Sequence, residues 1–166
     1  MILAVIAALA AFLTFISFVA PTLFGAALVT ALAALLLRLV SLFMVYRLLA
    51  GAGALARRGL VVVMVGEGLL LVATIFGIPP EPHMEGSAIA GWAGLLIWAC
   101  YGAACAYGGV KLAAIDGWIR FAGIAIAVSA GFWFTQIGLL VWPFTMAAGY
   151  ACFALAGWRS RTPRVA

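Results

Sequence analysis

The sequence predicts an all-α integral membrane protein, a polytopic bundle of six transmembrane helices with both termini in the cytoplasm. Of its 166 residues, 69% are hydrophobic and 8% are charged, whereas a soluble domain carries roughly a quarter charged residues. Its apolar runs exceed the ~18 residues that distinguish a membrane-spanning helix from a buried core helix. Its basic residues fall mainly at the ends of these runs, where such residues set membrane topology.

The first 37 residues carry no charged side chain, and this stretch is too long for one span. Pro21 and Gly25 near its middle predict a tight turn between two spans, at about 2–20 and 23–46. A single span here would leave five in total and would move only the amino terminus across the membrane. A cleaved signal peptide would begin with a basic segment, but the first basic residue is Arg38. We therefore expect the first helix to be retained.

Four further apolar segments complete the predicted bundle, at about 59–78, 88–109, 118–136 and 138–157. The connection after the third span, PPEPHMEGS, combines three prolines, two glutamates and a histidine and has no Lys or Arg. Aromatic residues crowd the outer end of the last hairpin, where their rings are expected at the level of the lipid headgroups. They are Phe132, Trp133, Phe134 and Trp142.

The distribution of basic residues predicts the orientation of the six spans. One side of the membrane would hold eight of them, namely Arg47, Arg57, Arg58, Lys111, Arg120, Arg159, Arg161 and Arg164. The other side would hold none. Cytoplasmic connections are enriched in Lys and Arg, so we expect the basic side to face the cytoplasm and the protein to lie in the inner (plasma) membrane.

The net charge of +5 does not indicate a nucleic-acid partner. A nucleic-acid interface gathers basic residues on a soluble face, and no soluble domain is predicted here. The expected partners are the lipid bilayer and either further copies of this chain or other membrane subunits. Small residues four apart, such as Gly123 and Ala127, favour the close helix packing that such assemblies need.

Two charged residues remain inside the predicted spans, Arg38 in the second and Glu67 near the centre of the third. With the intervening turn centred near Gly53, Arg38 lies 15 residues before it and Glu67 lies 14 residues after it. At 1.5 Å per residue in antiparallel helices, the two side chains lie within about 2 Å of each other in depth. An isolated charge at the bilayer centre costs several kcal/mol, so we expect the two side chains to pair.

The pair of Arg38 and Glu67 admits three interpretations. It marks a pathway for a solute, ion or proton, because ionisable residues within spans are functional candidates by default. It fixes the register of a helix hairpin or docks a partner subunit. Alternatively, the second span ends near Val40, Arg38 extends to the interface, and residues 41–56 lie along the membrane. The polar side chains expected near the pair are Ser41, Trp98 and Tyr101.

The sequence predicts no catalytic residue, no metal site and no cofactor. Its only histidine, His83, lies in a connection, which excludes a membrane haem held by two histidines, a His-Glu-x-x-His zinc site and intramembrane Ser–His catalysis. Its three cysteines form no Cys-x-x-Cys pair and are expected to pack as small hydrophobic side chains. They are Cys100, Cys105 and Cys152.

These observations favour a small channel or transporter with Arg38 and Glu67 on its pathway. The alternative is a non-catalytic accessory subunit of a larger membrane complex, of respiratory, photosynthetic or secretion type, in which the pair holds helices together. A third candidate is a membrane enzyme acting on lipid or quinone. It is the weakest, because the only polar cluster at the membrane surface consists of Lys111, Asp116 and Arg120.

Overall fold

The computed structural model describes residues 1–19, 26–51, 54–76, 88–133 and 138–159, and within these ranges the chain forms six α-helices and no strand. The helices are α1 (Ile2–Val19), α2 (Ala26–Leu48), α3 (Ala54–Ile75), α4 (Ala88–Ala113), α5 (Trp118–Trp133) and α6 (Gly138–Arg159). A 3₁₀ turn at Leu49–Gly51 follows α2. The predicted all-α fold is confirmed, and the uncharged first part of the chain contributes two helices rather than one.

The helix α3 begins at Ala54, whereas the predicted span begins near residue 59. The predicted boundary leaves the charged residues Arg57 and Arg58 in the connection between the second and third spans. In the structure both lie near the start of α3. Arg57 is held there by Tyr46 of α2: its guanidinium carbon lies 4.5 Å from the ring centroid, and it donates a hydrogen bond of 2.6 Å to the hydroxyl. The predicted features at Pro21, Gly25, Gly53, 79–87, Phe134, Arg161 and Arg164 lie outside the described residues.

The six helices form a closed ring. Each helix packs against its neighbours in the sequence, and α1 also packs against α6. Adjacent helices are antiparallel, as α1 and α6 illustrate at the closure. Leu3 lies against Gly157, while Phe15 meets Phe144 edge-on with their ring centroids 5.4 Å apart. Because the number of helices is even, the last helix can close on the first in the same antiparallel sense.

This topology brings the described basic residues other than Arg38 to one end of the ring, called the basic end below. They are Arg47, Arg57, Arg58, Lys111, Arg120 and Arg159. The first and the last of the described residues lie at the same end, since Leu3 contacts Gly157 there. One end of the bundle is therefore cationic, while the opposite end has no Lys or Arg among the described residues.

Three helical segments of the described chain are long and apolar enough to cross a membrane: Leu28–Gly51, Ala54–Ile75 and Trp92–Ala113. Two shorter apolar helices accompany them, Ile2–Ile16 and Trp118–Trp133. The outside of the ring exposes large apolar side chains on several helices, including Leu96, Val110 and Phe121. A continuous apolar surface of this kind is unfavourable in water and natural against lipid, which indicates a membrane protein.

Glycines set the closest approach between helices, at the contact of α4 with α5. A Cβ atom on Gly123 would overlap the backbone of Leu112 and Ala113, and one on Gly109 would lie 2.5 Å from the backbone nitrogen of Ala127. Small residues permit such close packing in lipid, where the hydrophobic effect does not drive helices together. The small-residue pair Gly123 and Ala127 thus lies in a helix interface.

Candidate functional site

An ion pair lies inside the ring, formed by Arg38 of α2 and Glu67 of α3. Arg38 lies three residues after the buried Leu35 and four before the buried Leu42, and Glu67 lies four residues after the buried Val63. Residues at this spacing share one face of a helix, so both charged side chains point into the ring. Nη2 of Arg38 donates a hydrogen bond to Oε1 of Glu67. Their exposed fractions are 2% and 0%, so the pair is shielded from the surface of the ring.

Two tyrosine hydroxyls complete this group of four side chains, called the polar cluster below. Nη2 of Arg38 also donates to the hydroxyl of Tyr101 on α4 over 2.5 Å, and that hydroxyl donates to Oε1 of Glu67 over 3.2 Å. The hydroxyl of Tyr150 on α6 donates to the same oxygen over 3.4 Å. Both tyrosines are fully buried. The polar cluster therefore joins α2, α3, α4 and α6 across the interior of the ring.

An aromatic layer lies beside the polar cluster on the side away from the basic end, and consists of Trp98, Trp133 and Trp142. The rings of Trp133 and Trp142 are 4.8 Å apart, and those of Trp133 and Tyr101 are also 4.8 Å apart. Nε1 of Trp133 donates a hydrogen bond of 2.9 Å to the carbonyl oxygen of Trp98. The layer is thus packed directly against the cluster and held by a hydrogen bond of its own.

The guanidinium of Arg38 also contacts aromatic rings. Its central carbon lies 5.6 Å from the ring centroid of Trp142 and 5.4 Å from that of Tyr150. Both distances are within the range in which the electron-rich face of a ring attracts a cation. These contacts partly replace the water that the arginine loses on burial.

An apolar layer closes the interior on the other side of the polar cluster, toward the basic end. Successive helices contribute fully buried side chains to it, including Val45, Leu60, Leu112, Ile126 and Phe153. These residues belong to one continuous core with the tyrosines of the polar cluster. The charged pair therefore lies between two chemically different layers, one of indole rings with N–H groups and one dominated by aliphatic and phenyl side chains.

Three buried polar atoms at this site make no hydrogen bond within the described part of the chain: Nε of Arg38, Oε2 of Glu67 and Nε1 of Trp142. Buried polar groups are nearly always bonded, and exceptions call for an explanation. Among the described residues, one carboxylate oxygen that can accept a hydrogen bond and two N–H groups that can donate one therefore lack a partner near the charged pair. The site can therefore offer hydrogen bonds to a small polar species.

The residues expected around the pair behave differently in the structure. Tyr101 bonds to both charges, while Trp98 lies in the aromatic layer with its ring 6.0 Å from that of Trp133. Ser41 is buried, but its hydroxyl donates to the carbonyl oxygen of Leu37 on its own helix over 2.7 Å, so it takes no part in the cluster. A short hydroxyl side chain commonly bonds within its helix in this way.

Trp133 is the last residue of α5, at the end of the ring away from the basic end, and its ring faces the interior because it is only 4% exposed. Its expected depth at the headgroups stays a prediction. The interpretation that ends the second span near Val40 is wrong, because α2 runs without interruption to Leu48 and Arg38 faces the interior.

Sequence reasoning missed Tyr150 and the inward position of Trp142. A signal was present in their spacing, because residues 142, 146, 150 and 153 fall on one face of a helix with 3.6 residues per turn. Met146, Tyr150 and Phe153 are all fully buried. If one of these four residues had been known to face the interior, the helix period would have placed the other three on the same inward face.

No protein-family model, curated protein or solved structure matches this chain, so its function is inferred from the polar cluster and the layers around it.

Proposed function

We propose that the protein is a small multi-pass channel or transporter of the inner membrane, and that a small solute or ion passes along the axis of the ring by way of Arg38 and Glu67. The observation that carries this proposal is the set of unpartnered polar atoms around the pair. A buried ion pair that serves only to join helices is most favourable when all its polar atoms are bonded. Here a carboxylate oxygen and two N–H groups are left for a passing species.

The two flanking layers support a gated pathway. A permeating species exchanges its hydration for carboxylate, hydroxyl and N–H groups at the polar cluster, while hydrophobic constrictions close a pore by excluding water. The apolar layer, with Leu60, Leu112 and Ile126 fully buried, has the chemistry of such a constriction. Passage then requires the helices to separate at the basic end.

We further propose that all six helices cross the membrane with the basic end in the cytoplasm. The shortest helix, α5, has 16 residues, or about 24 Å at 1.5 Å per residue, which is less than the ~30 Å of a hydrocarbon core. Its antiparallel contacts with α4 and α6 support the same depth for all three. The grouping of basic residues at one end supports the orientation.

The second candidate function is that of an accessory subunit, in which the polar cluster acts as an interhelical tie. One observation favours it: the cluster bonds side chains of four helices, which is the arrangement expected of a structural lock. This role requires no flux through the ring. It predicts that other polypeptides accompany the protein when it is extracted in mild detergent.

The test is a flux measurement on purified protein in liposomes. Proton entry is followed with an entrapped pH-sensitive dye, and vesicle swelling is followed by light scattering in gradients of potassium chloride, urea and glycerol. We expect the protein to raise at least one of these fluxes above that of protein-free vesicles. Glu67→Gln, which removes the charge and keeps the shape, is expected to change that flux at least tenfold.

The matched control is Ser129→Ala. Ser129 is also a fully buried polar residue, but its hydroxyl donates to the carbonyl oxygen of Ile126 on its own helix, so flux should be unchanged. Flux is expressed per folded protein, as judged by size-exclusion chromatography. The double variant Arg38→Met/Glu67→Gln provides a charge-free site in case the single variant folds poorly. Flux equal to that of protein-free vesicles for every probe, or unaltered in folded Glu67→Gln, contradicts the proposal.

A further inference from the structure

A groove on the outer surface of α3 lies at the basic end, apart from the polar cluster. It has a volume of about 550 Å³. Its sides are formed by Tyr46 of α2 and Tyr107 of α4, and its floor by Arg57, Arg58, Val61 and Val62 of α3. Phenol, guanidinium and aliphatic side chains thus line the same groove.

No acidic side chain of the described part of the chain pairs with the arginines of this groove. Within the described residues, the single ion pair between Lys or Arg and Asp or Glu is that of Arg38 and Glu67, so Arg57 and Arg58 have no carboxylate on them. The stacking on Tyr46 orients the guanidinium of Arg57. The buried Nε of Arg57 makes no hydrogen bond with any residue that the structure describes. A third cation, Nζ of Lys111, lies 5.4 Å from the ring centroid of Tyr107.

An apolar track leads away from these cations along α3. Val61, Val65 and Leu69 are four residues apart and all are exposed, so they form one stripe on the outside of the helix. An anionic group would complement the arginines of the groove, and an apolar chain would cover the exposed stripe along α3. That combination describes an amphiphile rather than a free anion.

We propose that this groove binds an anionic phospholipid, with its phosphate between Arg57 and Arg58 and an acyl chain along Val61, Val65 and Leu69. Guanidinium groups form charge-assisted hydrogen bonds with phosphate oxygens, and the hydroxyl of Tyr46 lies at the same rim. Basic pockets between helices on the cytoplasmic side are suited to anionic headgroups, which are concentrated in that leaflet. A zwitterionic headgroup fits less well, because its own cation would face the two arginine side chains that line the groove. This site does not depend on transport through the ring, but it rests on the proposed cytoplasmic orientation of the basic end.

Competition between two lipids tests whether this groove prefers an anionic phospholipid. The purified protein in detergent is given equal amounts of phosphatidylglycerol and phosphatidylcholine, and the lipids it retains are counted by native mass spectrometry. We expect about tenfold more phosphatidylglycerol than phosphatidylcholine on the unaltered protein. Arg58→Gln, at an exposed position, should lower that ratio about fivefold, on the order of the effect of one basic side chain near a membrane surface. Arg57→Gln/Arg58→Gln should remove the preference.

The matched control is Arg120→Gln, because Arg120 is an exposed arginine at the same end and does not line the groove. It should keep the tenfold preference. A second arm adds glycerol 3-phosphate or inorganic phosphate at millimolar concentration, and neither should displace the lipid. Displacement by either would identify a soluble phosphate as the ligand and overturn the lipid assignment. Equal retention of the two lipids, or loss of preference in Arg120→Gln, would also overturn it.

Discussion

At the scale of single residues, the two tyrosines of the polar cluster are not equivalent. The hydroxyl of Tyr101 accepts a hydrogen bond from Arg38 over 2.5 Å and donates one to Glu67, so it bridges the two charges. The hydroxyl of Tyr150 donates to the carboxylate over 3.4 Å, near the outer limit of a hydrogen bond, and it also interacts with Arg38. The two hydroxyl groups should therefore differ in what they contribute to stability.

Tyr101→Phe is expected to lower the free energy of unfolding by about 1–2 kcal/mol, because a hydrogen bond to a charged group is lost on both sides of the hydroxyl. Tyr150→Phe should cost about 0.5 kcal/mol, since its hydrogen bond to Glu67 is long and the phenyl ring keeps its contact with the Arg38 guanidinium. The measurement is unfolding by sodium dodecyl sulphate, followed by circular dichroism. Tyr107→Phe, at an exposed position, is the control and should leave stability unchanged. Equal losses for Tyr101→Phe and Tyr150→Phe would contradict the bridging role.

The charged pair is expected to behave as a unit. Glu67→Gln alone leaves the Arg38 cation buried without a counter-charge, which should cost about 3 kcal/mol of stability. Arg38→Met/Glu67→Gln removes both charges and should recover most of that loss, because neutral replacements of a buried pair are often tolerated. The same unfolding assay gives the coupling energy of a double-mutant cycle. Additive losses would mean that the two side chains do not interact in the folded protein.

The sequence predicts the charged pair but only part of its surroundings. Arg38 and Glu67 could be matched in depth because each is the only charge in its stretch of apolar residues, and counting from the turn is enough. The inward position of Trp133 could not be predicted, because lipid and the interior of the bundle are equally suited to its ring. Ser41 illustrates the opposite error: its depth is suitable, but its hydroxyl is already bonded to Leu37.

At the scale of helices, glycine positions decide which pairs approach closely. Gly66 and Gly68 both flank Glu67, yet a Cβ on Gly66 would lie 2.9 Å from that of Ala104, whereas nothing lies within 4 Å of one on Gly68. Only the first faces α4. Backbone atoms, which cannot rotate away, limit both contacts of α4: a Cβ on Gly108 would lie 2.6 Å from the carbonyl oxygen of Gly59 on α3, and one on Gly123 would lie 2.3 Å from the backbone nitrogen of Ala113.

Gly123→Ala is expected to destabilise the protein by about 2 kcal/mol, because the added methyl would force α5 away from Leu112 and Ala113 of α4. Gly131→Ala is the matched control on the same helix, with nothing within 4 Å of the new atom. It should be neutral or stabilising by up to about 1 kcal/mol, since alanine favours a helix over glycine. Melting temperatures in detergent report both. A neutral Gly123→Ala would mean that α4 and α5 are further apart than described.

Helix limits were predictable to different degrees. The apolar runs locate all six helices, but the start of α3 depends on Arg57, whose charge argues for a connection until its stacking on Tyr46 is known. That contact joins residues 11 positions apart on two different helices, so the sequence of neither helix alone predicts it. A charged residue at a helix end can thus belong to the helix whenever a neighbouring ring covers it.

At the scale of the whole molecule, the even number of antiparallel helices places the first and last described residues at the basic end. The sequence predicts this through the positions of its basic residues, and the contact between Leu3 and Gly157 agrees with it. What the sequence did not predict is that α1 packs on α6. Two helices that are apolar throughout carry no signal of which partner each prefers.

The six-span topology predicts that Asp116, an exposed residue between α4 and α5, shares one side of the membrane with both ends of the chain. Asp116→Cys, in a background with Cys100→Ala, Cys105→Ala and Cys152→Ala, should react with an impermeant maleimide only from the cytoplasm. Epitope tags added before Met1 and after Ala166 should become accessible together with it. A tag before Met1 that is accessible from the opposite side would indicate five spans.

The contact of Leu3 with Gly157 also means that the order in which the chain visits its helices can be changed without altering the ring. A circular permutant, with the old ends joined by a short linker and the chain opened between Asp116 and Gly117, would run α5, α6, α1, α2, α3, α4. All its neighbours in space would be preserved, because a closed loop of helices has no privileged starting point. Such a permutant is expected to melt within a few degrees of the parent in detergent. If α1 and α6 did not pack against each other, joining the old ends would instead alter the packing, and the melting temperature would fall.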